Sequence, residues 1–151
     1  MISIDLPWPS RDLHPNARVH WAKKARATKK ARSDAAICTR AAGIRRNDPD
    51  IPQALKVTVI FYPPNNHKHD IDGCLSALKP SLDGVADVIG VDDSKWSIAL
   101  RKDKVREGGA VRLELEAAPE DWITREAIKF RNERRIAHID EVVAAVVGSR
   151  K

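Results

Sequence analysis

Leu55-Lys56-Val57-Thr58-Val59-Ile60-Phe61-Tyr62, closed by Pro63-Pro64, is the clearest strand in the chain. Its β-branched and aromatic residues suit a pleated, buried surface, and the two prolines remove donors that a continuing ladder needs. The period then changes. Ile71, Leu75, Leu78, Leu82, Val85 and Ile89 recur at intervals of three and four, which is one apolar face of a helix. Pro80 removes the hydrogen bond to the Ser76 carbonyl and crowds that turn. Either the helix kinks there, or two short helices meet with Pro80 opening the second.

Working outward, Ile2-Ser3-Ile4-Asp5-Leu6 alternates apolar and polar as a half-buried strand does, and Pro7 and Pro9 end it. A long helix is expected from about Val19 to Ala42, with Gly43 to Pro52 as a loop. Trp96 to Val105 and Ala110 to Glu116 read as a hairpin across Glu107-Gly108-Gly109. The order β-α-β-α-β-β predicts an α+β domain over residues 1–118, a mixed four-stranded sheet packed with two helices. Residues 119–151 read as a C-terminal helical extension, Asp121 to Ile136 and His138 to Val147.

With 151 residues, 42% of them hydrophobic and 32% charged, the chain can build one domain with a real core. No apolar run approaches the roughly 18 residues a membrane span needs, and no secretory leader is visible, so a cytoplasmic protein without membrane partner is expected. Cys38 and Cys74 lack metal-ligand spacing and suit a reducing compartment as packing residues.

The net charge is +6 and the pI about 9.5. Eight Lys or Arg residues stand between Arg11 and Arg32 against one acid, Asp12, whereas the charge after Pro119 is nearly balanced. A local cationic surface is what a nucleic-acid footprint requires. Lys23, Arg26 and Lys30 share one helix face with Arg18 just before them, and Lys24, Lys29 and Arg32 broaden the charge. Such a helix suits a phosphate backbone and gives salt-sensitive, largely sequence-independent affinity. Trp21 can pack in the core or lie at the DNA surface, and the core is the expectation.

Against that background the acids stand out. His69-Asp70-Ile71-Asp72 precedes the apolar helix, and Val91-Asp92-Asp93-Ser94 follows it. Asp-x-Asp alone also caps helices and fills solvated turns, and Asp92-Asp93 alone reads as a turn. Together, beside a basic segment, the pairs point to carboxylates holding Mg²⁺ or Mn²⁺ against a phosphate. Lys79 falls on nearly the same helix stripe as Asp72 and Asp83, where an ammonium can neutralise charge developing on phosphate. Its simpler reading is an exposed pair with Asp83. His67 and His69 make a poor zinc signature, so His67-Lys68-His69 is read as a phosphate-contacting loop.

These signals resemble one family. Leu6-Pro7-Trp8-Pro9-Ser10, Asn16-Ala17-Arg18-Val19-His20-Trp21-Ala22-Lys23-Lys24, Asp70-Ile71-Asp72, Leu78-Lys79, Leu82-Asp83-Gly84 and Val91-Asp92-Asp93-Ser94 are similar, in order and spacing, to the RusA family of Holliday-junction resolvases, found in phages and prophages. The likeness covers roughly residues 2 to 117. It implies a RusA-like fold, an intertwined homodimer, dependence on Mg²⁺ or Mn²⁺ with no organic cofactor, and paired nicks in four-way DNA junctions. It also implies that Asp70, Asp72 and Asp93 bind metal, with Asp92 as the neighbour able to substitute, and that Lys79 is the catalytic lysine. The expected DNA contacts are Asn16, Arg18, Lys23, Lys24, Arg26, Lys30, Lys68 and His69.

Two positions depart from the family pattern. Gly73 stands where Asn is common, and Ser76 where the lysine commonly falls, so Lys79 matches only with about one extra helical turn. Two other functions fit parts of the sequence. A non-catalytic branched-DNA-binding protein needs only the basic helix. A sugar-nucleotide enzyme uses Asp-x-Asp, but the short chain without a Rossmann-like unit argues against it.

Overall fold

The computed structural model describes residues 1–119, together with 141, 143–146 and 148. Two compact units are delimited, Met1–Ala118 and Pro119–Lys151. Of the expected C-terminal helices, Asp121 to Ile136 lies outside the described residues. In the second, residues 141 and 143–146 are described and are helical.

The first unit is α+β. Its elements are β1 (Ile2–Pro7), α1 (Trp21–Ala41), β2 (Leu55–Tyr62), α2 (Ile71–Ile89), β3 (Trp96–Lys102) and β4 (Ala110–Ala117). Single 3-10 turns occupy Arg11–Leu13 and Asp93–Lys95. The strands form one mixed sheet in the order β1-β4-β2-β3, antiparallel except for the parallel pair β2–β3.

The expected β3–β4 hairpin does not form: β2 lies between these strands. The chain leaves β3, crosses the end of β2 and re-enters on its other side. The Asp103 N–H donates to the Phe61 carbonyl (2.8 Å) and the Arg106 N–H to the Pro63 carbonyl (2.9 Å) along the way. Gly108 and Gly109 then turn the chain with φ of +77° and +67°. Residues 103–109 need only bridge two strand spacings, about 10 Å, which seven residues do as easily as they close a hairpin. The alternation of β4 is satisfied better between β1 and β2, where Val111, Leu113 and Leu115 all become buried.

One sheet face carries the core. Ile4 and Leu6 of β1, Val57, Val59 and Phe61 of β2, and the apolar residues of β4 meet Cys74, Leu78, Leu82, Val85 and Ile89 of α2. The opposite face has registered charge pairs: Arg112 bonds Asp5 directly across β4–β1 (2.7 Å), and Lys56 lies 3.7 Å from Glu116 across β2–β4. Cys38 and Cys74 are free thiols packed in or against this core.

Pro80 sits inside α2, which runs as one helix rather than two. Helix α1 starts where the His20 Nδ1 accepts from the Ala22 N–H (3.2 Å), and of its residues only Ala35 and Thr39 are buried. The two helices approach at Gly84, where an added Cβ would fall 2.2 Å from the Arg32 carbonyl oxygen. A bidentate Arg32–Asp87 pair, 2.6 and 2.8 Å, ties the same contact at its surface. Beyond β2, Ile98 and Leu100 of β3 stand in register with Val57 and Val59 but remain 42% and 37% exposed. The apolar sheet face therefore continues past the helices onto an uncovered edge strand.

Candidate functional site

The prolines that end β2 turn the chain into a polar loop, and that loop places Asp70 at the start of α2. Asp70 is the N-cap, yet its carboxylate makes no capping hydrogen bond; only its carbonyl is used, accepting from the Cys74 N–H (2.9 Å). Asp72 lies in the first turn, exposed, where the helix dipole favours an anion. Among the described residues neither carboxylate has a side-chain partner. The second acidic pair behaves differently. Asp92 caps the 3-10 turn by accepting from the Ser94 N–H (2.9 Å), and its contacts to Ser94 hold its carboxyl below the usual range. It is committed to a local structural role.

Asp93 turns the other way. Its Oδ2 accepts from the Lys79 Nζ, which also donates to Asp83 Oδ1 at 2.8 Å. The hydrogen bonds that Lys79 donates to Asp83 and then to Asp93 push its amine up. The residues after α2 thus fold back against its middle, not its beginning. Asp72 and Lys79 are seven residues apart, about 10 Å of helix.

This spacing decides the fit of a divalent ion. Carboxylate oxygens are the right donors for Mg²⁺ or Mn²⁺. Among the described residues, however, no three His, Cys, Asp or Glu side chains are gathered so as to hold a metal ion. Asp70 and Asp72 stand at one end of α2, the Lys79 ammonium occupies Asp93, and Asp92 is taken by Ser94. The four expected ligands do not form a single group in this arrangement, because the ion pair satisfies Asp93 where it stands.

What the fold does bring together is a cleft of about 1020 Å³ between the segment Trp8–Ala17 and the loop Pro64–Asp70. Asn16, Lys68, His69 and Asp70 line it, with Arg11 and His14, which the sequence pattern did not single out. His69 is fixed on three sides. Its Nε2 lies 2.9 Å from Asn65 Oδ1, Trp8 meets its ring edge-on at 5.5 Å, and Lys102 donates to its carbonyl at 3.3 Å. Burial, then Lys102 and His67, pull its imidazole below the ordinary value, which favours the neutral ring. His14 lies over Gly73: a Cβ there would sit 2.6 Å from its Nε2. Gly73 thus admits a histidine ring against the first turn of α2.

Lys23, Arg26 and Lys30 line a neighbouring concavity of about 470 Å³ together with Trp8, Asp12 and Asp34. Lys30 pairs with Asp34 (2.5 Å) and Lys23 more loosely with Asp12 (3.8 Å). Arg18 and Lys24 are exposed near the start of α1. Trp21, expected in the core, is 76% exposed. The reason is that α1 docks through small residues toward its C-terminal half, leaving its first turns off the core. Trp8 stands in the Leu6–Ser10 stretch without an assigned role, and His14 and Lys102 carry no signal at the level of sequence spacing; only folding brings residues 8, 14 and 102 to the Asp70 segment.

The class these features define is a small α+β domain with a cationic helix beside an acid-bearing cleft. No protein-family model matches the chain. It is 43% identical over 112 residues to an uncharacterized protein of Xylella fastidiosa (strain Temecula1 / ATCC 700964), covering 74% of this chain and 73% of that relative. The chain belongs to the family of that protein. Among the described residues no helix is long and apolar enough to cross a membrane.

Proposed function

We propose that this protein is a structure-selective DNA endonuclease of the RusA type, acting on four-way junctions as a homodimer with Mg²⁺ or Mn²⁺. The observation that carries this reading is the shared cleft, where the uncapped Asp70 carboxylate faces the same space as Asn16, Lys68 and His69. Cationic and hydrogen-bonding groups hold a phosphate backbone, and an acid beside them has little use unless chemistry or a cation occupies the space between. The basic helix supplies non-specific affinity. Asp70 lines the cleft, Asp72 follows it in the first turn of α2, and Lys79 is hydrogen-bonded to Asp93. The exposed apolar edge at Ile98 and Leu100 supports self-association, since an uncovered strand invites pairing.

A second reading, a branched-DNA-binding protein without turnover, is favoured by the Lys79–Asp93 pair, which leaves the carboxylates ungathered. One experiment separates the two: a labelled four-way junction incubated with the full chain in Mg²⁺, in Mn²⁺ and in chelator, its products mapped at nucleotide resolution. The enzyme reading expects paired symmetric nicks only with metal, and Asp72→Asn should abolish them while junction affinity holds or rises. Binding in chelator without nicks in either metal selects the second reading. Loss of binding together with cleavage in Asp72→Asn would make Asp72 structural.

A further inference from the structure

Trp21 opens α1 and is 76% exposed, although tryptophan is among the costliest side chains to leave in water. Its ring is not loose: the His20 imidazole lies against it, centroids 5.5 Å apart and planes tilted by 36°. Through its Nδ1, His20 also caps the helix (3.2 Å), so the aromatic pair is anchored to the backbone at the helix start.

The surroundings identify what would cover this ring. On the helix surface its neighbours three and four residues on are Lys24 and Ala25, with Arg18 just before it in the chain. No acid occurs from Leu13 to Ser33, and none lies in the first turn of α1. The next large exposed apolar residue on α1 is Ile37, sixteen residues or about 24 Å of helix away. A protein interface needs a cluster of apolar anchors. A lone aromatic ring inside a cationic field matches a nucleobase whose phosphates lie on the flanking charges. Bases inside an intact duplex have both faces covered, whereas a base at a branch point or an opened step offers one.

We propose that Trp21, braced by His20, is a stacking platform for an unpaired base of branched DNA, while Arg18 and Lys24 engage the adjoining phosphates. The proposal rests on the DNA-binding reading above and adds a cause of preference for branched over linear DNA. Stacking tolerates any base, so the platform selects structure, not sequence.

The test uses the full chain, its Trp21→Ala and Trp21→Phe variants, a four-way junction with 2-aminopurine at the crossover, and an unbranched duplex of the same length. Wild type should quench the 2-aminopurine on binding. Trp21→Ala should lose the quenching and weaken junction binding by roughly ten-fold or more, with duplex affinity unchanged. Trp21→Phe should retain most of both. A Trp21→Ala protein with wild-type quenching and junction affinity overturns the platform and leaves the DNA reading standing. Equal losses on junction and duplex, or a changed sedimentation coefficient, assign Trp21 to folding or self-contact and overturn it too. A wild type that binds neither DNA overturns both readings.

Discussion

At Lys79 one ammonium answers two carboxylates that lie ten residues apart in the chain, Asp83 and Asp93. The i,i+4 pair with Asp83 is legible in the sequence; the pair with Asp93 is not, since it depends on the chain doubling back after Gly90. The lysine side chain is 55% exposed, so solvent screens these bonds and Lys79→Met should cost less than about 1 kcal/mol in denaturant unfolding. The sign with pH follows from the raised amine value. The stabilisation is fully present below the ordinary lysine value of 10.5 and fades as pH rises through the folded one. The wild-type margin over Lys79→Met should therefore stay level from neutral pH to about 10 and shrink above it. Single-turnover junction cleavage tests the other role: unchanged cleavage in Lys79→Ala would refute a catalytic function for this lysine.

At the scale of elements, the α1–α2 contact sets where the basic helix lies relative to the acids. Gly84 lets the Arg32 backbone approach α2, and an alanine methyl there would meet a carbonyl that cannot rotate aside. Intrinsic propensity argues that Gly84→Ala inside a helix gains about 1 kcal/mol. Packing reverses the sign, and a loss of about 2 kcal/mol or more in urea unfolding is expected. Gly73 differs, because its neighbour is the far end of a histidine side chain that can swing away. The apolar periodicity of α2 and the bounds of α1 could be read from the sequence because each is a local pattern. The position of β4 could not. Its alternation is a local pattern that names no neighbour, and only the whole sheet shows that a place between β1 and β2 buries Val111, Leu113 and Leu115.

Over the whole molecule, the charge is segregated rather than merely positive. If α1 follows a phosphate backbone, DNA affinity should fall linearly on a log–log salt plot, and Arg26→Ala should reduce the slope by about 0.9. A fluorescence titration at several salt concentrations measures it. An unchanged slope would place Arg26 away from the DNA.

Composition and spacing by themselves determined an α+β domain, two helices, four strands, a local cationic segment and two acidic pairs flanking α2. Those are properties of neighbours within a turn or a strand, where side-chain period and charge act directly. Tertiary structure alone decided three other things: that β2 separates β3 from β4, that Asp93 meets Lys79 and not Asp70, and that Trp21 faces water. Each depends on which of several partners within reach a group finally meets. That choice is made by packing of the whole sheet and its helices, because side-chain period and charge within one segment do not specify the segment it meets.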